Sequence, residues 1–196
     1  MSRWTTHLYV VAIVVIGVAY ALMQSSPGLF ASTRSAGTAP GMQWQAGFSP
    51  GNAERVVLDA IANARSTIDI AAYSFTSRHI ADALRDAQAR GVKIRMVLDR
   101  HSNVEADRDG YARSLLDQLA AAGIDVRLVS AFAALHDKFM LVDRDTLETG
   151  SFNYTVAASR QNAENALVLR NAPELVDQYR QHWQILFDQG EPMPQE

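Results

Sequence analysis

The chain has 196 residues, 48% of them hydrophobic and 20% charged, and a formal net charge of −3. That is enough apolar material for one folded domain with a buried core and some additional segments. It is not the bulk positive charge of a protein that coats nucleic acid, and the absence of cysteine excludes disulfides, thiolate catalysis and cysteine-ligated zinc.

Residues 8–23, LYVVAIVVIGVAYALM, form an apolar run of 16. The run is long for a secretory core and short of the roughly 20 residues of a spanning helix. Residues 1–23 are therefore expected to be a signal peptide, cleaved near Ala31 or around Ser35-Ala36-Gly37, or an uncleaved membrane anchor. Export to the periplasm or secretion follows from the first, and attachment to the inner membrane facing the periplasm from the second. Residues 24–44 are rich in Ser, Gly, Ala, Thr and Pro and read as a flexible linker. The folded domain is expected at 45–190, with a short tail at 191–196.

Within the domain, Val56, Val57, Ala60, Ile61 and Ala64 have helical spacing and predict a helix over 52–64. Residues 67–75, TIDIAAYSF, read as a strand buried on both faces. Helix 78–90 follows, stopped by Gly91, and then an alternating strand at 92–98. The stretch 99–110 is a polar loop, 111–122 a helix, 124–129 a strand. Residues 138–142 and 146–149 form a hairpin around Asp143-Arg144-Asp145. A short helix is expected to run from Asn153, a candidate N-cap, to about Arg160. A strand at 166–170 and a helix opened by Pro173 close the domain. Strands alternating with helices predict an α/β sandwich with a mixed, largely parallel sheet flanked by helices. Sites in such folds lie at the carboxyl ends of strands, so the loops after Phe75 and Leu98 are expected to wall the site. Arg100, His101 and Arg108 are candidates for a basic rim, whereas Asp107 and Asp109 read as solvated rather than metal-ligating.

The chemistry concentrates in residues 136–153. His136 and Lys138 are two apart at the start of an apolar strand and share a face. Asp143 has the opposite parity. Gly150 breaks the next strand, and Ser151 and Asn153 follow it. An imidazole, an ammonium and a helix start with free N–H groups make a phosphate site.

The pattern H-x-K-x4-D followed by G-S-x-N resembles the HKD motif of the phospholipase D superfamily. AYSFTS at 72–77, ETGSFNYT at 148–155, Glu164-Asn165-Ala166 and His182-Trp183 extend the resemblance to the small Nuc-type bacterial endonucleases, over about residues 45–190. The resemblance implies a phospholipase D-like α/β fold and a phosphodiesterase that needs no cofactor or metal. His136 would attack phosphorus and form a phosphohistidine, and a second histidine would protonate the leaving oxygen. Lys138 and Asn153, assisted by Ser151, would hold the non-bridging oxygens. Glu164 would accept a hydrogen bond from a histidine and fix its tautomer. Asp143 and Gly150 would be structural.

Two histidines are needed and the chain has one H-x-K, so a homodimer with a composite site is implied. His79, His101 and His182 lack the flanking pattern. The expected substrate is DNA or RNA, cleaved with little sequence preference. A phospholipid of the cardiolipin type, reached through residues 8–23, is the alternative, and a non-catalytic nucleic-acid-binding module is the third reading.

Overall fold

The segment Thr67–Ala72 is apolar on both faces, so layers must cover it on both sides. A computed structural model, which describes residues 41–194, places it at the middle of an eight-stranded sheet. The strands are β1 (Gln43–Ser49), β2 (Thr67–Ala72), β3 (Lys93–Asp99), β4 (Asp125–Val129), β5 (Lys138–Val142), β6 (Thr146–Gly150), β7 (Glu164–Arg170) and β8 (Glu191–Pro192). Their spatial order is β1-β7-β6-β5-β2-β3-β4-β8. The helices are α1 (Ala53–Ala62), α2 (Arg78–Ala89), α3 (Tyr111–Ala121), α4 (Val156–Arg160) and α5 (Pro173–Gln189), with a π-helical turn at His101–Glu105. The expected signal or anchor at 1–23 lies outside the described residues.

Strand alternation sends Ile68, Ile70 and Ala72 to one face, where Val57 and Ile61 of α1, Leu84 of α2 and Leu116 of α3 cover them. Ala71 faces the other side and joins Phe139, Leu141 and Leu147 beneath Val176, Trp183, Leu186 and Phe187 of α5. Fully burying one such side chain contributes roughly 1.5–3 kcal/mol. Trp183 is fully buried, and its Nε1 donates to the Ile70 carbonyl at 2.8 Å, which fixes where α5 lies on the sheet. Asp69 is the charged exception on that face. It accepts from Arg95 Nε at 2.8 Å and from Arg180 Nη1 at 2.9 Å, so its charge is shared by two guanidiniums.

The α/β sandwich with a mixed sheet is as expected, but the balance of pairing is not. Only β2–β3 and β3–β4 are parallel, and the other five neighbouring pairs are antiparallel. A parallel pair needs a crossover, and the crossovers that join neighbouring strands run between β2 and β4, through α2 and α3. α1 and α5 carry the chain between strands that are not neighbours, β1 to β2 and β7 to β8, and the remaining strands join their neighbours antiparallel.

Two strands are absent from the expected elements, β1 at the boundary between the expected linker and domain and β8 in the expected tail. β1 starts at Gln43 and pairs along the whole of β7, from Gln43↔Arg170 to Ser49↔Glu164. Its sequence, QWQAGFS, alternates but carries an interior glycine. That glycine is required, since a Cβ on Gly47 would come within 2.8 Å of Ala53 Cα. Glu191–Pro192 pairs with β4. The N-cap of α4 is Thr155, whose hydroxyl accepts from Ala158 N at 3.1 Å, so Asn153 lies ahead of the helix and does not cap it.

Asp143 sits in the β5–β6 turn at φ 55°, at the far end of β5 from Lys138. Its carboxylate accepts from Ser66 N at 2.8 Å, Ser66 Oγ at 2.7 Å, Thr67 N at 3.0 Å and Arg65 N at 3.1 Å. Partial burial pushes its pKa up, but these donors together outweigh that and hold the carboxyl below its ordinary value. A depressed carboxyl contributes stability above its unfolded pKa that is lost as pH falls. Asp143→Ala is expected to cost about 1–3 kcal/mol in denaturant titrations at neutral pH. The difference from wild type should shrink below about pH 4.

Candidate active site

The carboxyl ends of β2, β3 and β4 and the start of β5 meet at one end of the sheet, and the chain fastens its loops there through side-chain amides and carboxylates. Asp99, the last residue of β3, accepts from Ser102 N at 2.7 Å and from Leu135 N at 2.8 Å. Asn103 is fully buried in the π-helical turn. Its Oδ1 accepts from Phe75 N, and its Nδ2 donates to the carbonyls of Tyr73 and Asp99, all at 2.8 Å. Phe75 bridges to Tyr154, and Thr76 N and Ser77 N donate to the Tyr154 carbonyl at 2.8 and 2.9 Å. The segments 73–77, 99–103, 135–136 and 154 are thereby locked to one another.

This lock sets His136 against Tyr73, with ring centroids 4.7 Å apart. His136 lies just ahead of β5 and is exposed. Lys138, the first residue of β5, is 9% exposed. Its Nζ donates to the His136 carbonyl at 2.7 Å and stands 5.3 Å from the Tyr73 ring centroid. Burial pulls the Lys138 pKa below its ordinary value, while the carboxylates of Glu164 and Asp137 oppose that and favour the ammonium. A desolvated ammonium held by two nearby carboxylates is suited to a phosphate oxygen, because the field around it is little screened.

Gly150 ends β6 where nothing larger fits, since a Cβ there would lie 2.2 Å from the Asn165 carbonyl oxygen. That same oxygen accepts from Ser151 N and Phe152 N at 3.1 and 3.2 Å. Ser151 Oγ donates to Glu164 Oε2 at 2.6 Å and accepts from Asn165 N at 3.1 Å. Asn162 Nδ2 donates to the other Glu164 oxygen at 2.9 Å. Among the described residues, the hydrogen-bond partners of Glu164 are thus Ser151 and Asn162, and no histidine of this chain bonds it. Asn153 is half-buried, and its Oδ1 is a buried acceptor without a partner. An unpaired acceptor is open to a donor on a ligand, and it is the Nδ2 end of the same amide that donates to a phosphate oxygen.

The structure therefore brings His136, Lys138, Ser151 and Glu164 to one end of the sheet, with Asn153 two residues beyond Ser151. Asp143 is at the opposite end. The remaining histidines among the described residues face carboxylates: His79 with Glu54 at 3.5 Å, His101 with Glu105 at 3.1 Å and His182 with Asp137 at 2.8 Å. Of the expected basic rim, Arg100 pairs with Glu191 and His101 with Glu105. Tyr73 lies within AYSFTS and Asp99 and Asn103 within the expected polar loop, but the sequence gives none of them a role, because no spacing rule marks a tyrosine that will stack on a histidine 63 positions away. Among the described residues, no group of three His, Asp or Glu side chains is arranged to hold a metal ion.

The family profile described as cardiolipin synthase, PLD-like domain, matches residues 57–186. The chain belongs to the phospholipase D family. A phospholipase D of Rickettsia bellii is 39% identical over 134 residues, 68% of this chain and 63% of that protein. A mitochondrial cardiolipin hydrolase of Chlamydomonas reinhardtii is 34% identical over 131 residues, 67% of this chain and 56% of that protein. The match spans less than two thirds of either relative. The crystal structure of Nuc, a phospholipase D family member from Salmonella typhimurium, is 40% identical, with a TM-score of 0.74. The likeness covers 78% of this chain and 98% of Nuc. The fold is that of the phospholipase D family.

Behind this end of the sheet, Glu148 of β6 is fully buried and accepts from Tyr154 Oη at 2.6 Å. Burial pushes its pKa up to about 7, against the lowering effect of the Tyr154 hydrogen bond. Burial and the neighbouring carboxylate together push the Tyr154 phenol well up. The folded chain therefore keeps a proton on Glu148 at pH values where the unfolded chain, near 4.5, has lost it. Stability is expected to fall as pH rises from about 5 to about 7, by on the order of 3 kcal/mol in all, and to level off above. Thermal unfolding across that range should show the fall in wild type and a flat profile in Glu148→Gln.

Proposed function

We propose that this chain is a nucleic-acid phosphodiesterase, a metal-independent and non-specific endonuclease that works as a homodimer. The observation that carries the reading is the likeness to Nuc at 40% identity over 98% of that chain, where the curated phospholipid-named relatives are matched over less than two thirds of theirs. The site geometry supports it. The exposed His136 imidazole of each chain, beside the buried Lys138 ammonium and Asn153, is half of what the reaction requires.

In the first step an imidazole nitrogen of His136 attacks phosphorus. The bond to the leaving oxygen breaks as that oxygen takes a proton from the partner's His136. In the second step the partner's His136, now neutral, takes a proton from water. The water oxygen attacks phosphorus, and the N–P bond breaks to release a phosphomonoester. Lys138 and Asn153 hold the non-bridging oxygens while charge builds on them, with Ser151 beside them. Glu164, positioned by Ser151 and Asn162, is the acceptor that orients a histidine N–H across the two-fold axis. Recognition stops at the backbone phosphate, which accounts for low sequence preference.

One observation favours a phospholipid instead. Ala131–Ala134 are exposed immediately ahead of His136, and Phe132 is 47% exposed, an apolar stretch of the kind that could contact acyl chains. Export or anchoring through residues 8–23 is compatible with either substrate.

The full-length chain, purified in mild detergent, should be tested in chelator against plasmid DNA, RNA and cardiolipin vesicles. Cleavage of nucleic acid that survives chelation and falls on the order of a thousandfold or more in His136→Ala is the expected result. Headgroup release without nucleic-acid cleavage would transfer the reading to the phospholipid, and an absolute need for a divalent ion would overturn the phosphohistidine route.

A further inference from the structure

The end of the sheet opposite His136 carries a second concentration of charge-bearing side chains. A depression of about 620 Å³ opens there between the α1–β2 loop, the β5–β6 turn and the end of β7. Arg65, Arg144 and Arg170, one from each of these segments, line it together with Asn63 and Asn171. None of the three guanidinium groups has an ion pair or side-chain hydrogen bond among the described residues. Two carboxylates line the same depression. Asp143 is already satisfied by the four donors from residues 65–67, and Asp145 accepts from Thr146 Oγ1 at 3.0 Å. Asp177 lies in the neighbouring groove beyond Arg144. By contrast, Arg180 is engaged by Asp69 and by the Asp143 carbonyl, so it belongs to the core of the fold. Three uncommitted guanidiniums converging from separate segments are a recognition surface for phosphate groups.

The place where the chain enters the domain selects the source of that phosphate. Gly41, the first described residue, is tied to this rim by Asn171 Nδ2, which donates to its carbonyl at 3.0 Å. Residues 24–40, the Ser- and Gly-rich linker, join this rim to the apolar run at 8–23. Trp44, 70% exposed, lies opposite Leu169 on β1, next to the Gln43↔Arg170 pair. Alternation puts Trp44 on the Leu169 face of the sheet and Arg170 on the other, so the arginines alone make the surface at this end.

We propose that this arginine-lined end is a docking surface for the phosphate headgroups of an anionic bilayer. It takes effect when residues 8–23 remain attached as an anchor, and it rests on the proposed reading of the active site as one for a soluble polyanion. Docked this way, the domain turns His136 away from the lipid. β5 alone, from Lys138 to Val142, separates the two ends by about 13 Å. The catalytic end then faces the aqueous side, where a soluble polyanion approaches.

The test is hydrogen–deuterium exchange of the full-length chain reconstituted in phosphatidylcholine vesicles, with and without phosphatidylglycerol. The readout lies at the surface itself, so insertion of residues 8–23 does not mask it. The expected result is at least threefold slower exchange at 143–146 and 170–171 only when phosphatidylglycerol is present, with the effect lost in high salt. The triple variant Arg65→Ala/Arg144→Ala/Arg170→Ala should lose the protection while cleaving soluble substrate within twofold of wild type. The triple Arg→Lys variant, which keeps the charge, should retain most of the protection and guards against misfolding of the first. Equal exchange in both vesicle types would overturn the proposal. So would protection produced by inorganic phosphate or by a single-stranded oligonucleotide with phosphatidylcholine vesicles alone.

Discussion

The catalytic end of this phospholipase D-family domain depends on one buried side chain, the carboxamide of Asn103. It makes three hydrogen bonds of 2.8 Å to Phe75, Tyr73 and Asp99, and no exposed surface remains on the residue. A buried amide is costly unless satisfied, and one satisfied by three separate backbone groups permits a single arrangement of the loops that carry them. Asp99 extends the same network to Leu135, one residue before His136. The orientation of His136 against Tyr73 is therefore fixed by an asparagine and an aspartate behind it. The π-helical turn at His101–Glu105 is the local distortion that aims Asn103 inward, in keeping with the occurrence of such turns at functional sites.

A second constraint is the cost of burying charge. Lys138 is almost wholly removed from water, and its pKa is lowered by that burial. Glu164 and Asp137 partly offset the penalty, and Glu164 is itself kept in place by Ser151 and Asn162. The site holds its positive charge ready in a weakly screened setting, which is the condition under which an ammonium stabilises charge growing on a phosphoryl oxygen. The exposed position of His136 completes the picture of a half-site. The imidazole has an aromatic wall on one side and open space on the other, and in the proposed dimer that space is where the second histidine arrives.

The sequence carried much of this in its periodicities. Two-residue alternation gave His136 and Lys138 one face and Asp143 the other, whereas in the structure His136 lies ahead of β5 and Asp143 is separated from Lys138 by the length of the strand, tied to residues 65–67. Apolar spacing located α1, α2, α3 and α5 to within a few residues, since each buries one continuous stripe. What was not legible was non-local. β1 exists because β7 offers it an edge, and nothing in QWQAGFS announces that edge. The preponderance of antiparallel pairs follows from which strands become neighbours, not from their composition. Asn153 looked like a cap because asparagine commonly is one, but Thr155 two residues later already supplied an acceptor to Ala158 N.

The central claim is that a single chain provides half of a catalytic site and that one working site needs His136 from two chains. Its most direct test is a mixing experiment. Wild-type and His136→Ala chains are dissociated, combined in equal amounts and reassociated, and nuclease activity on a soluble substrate is measured at fixed total protein. If each site uses both histidines, only wild-type pairs are active, and activity is expected to fall to about a quarter of the unmixed wild type. A fall to only about a half, linear in the wild-type fraction, would show that each chain acts alone and would contradict the composite site.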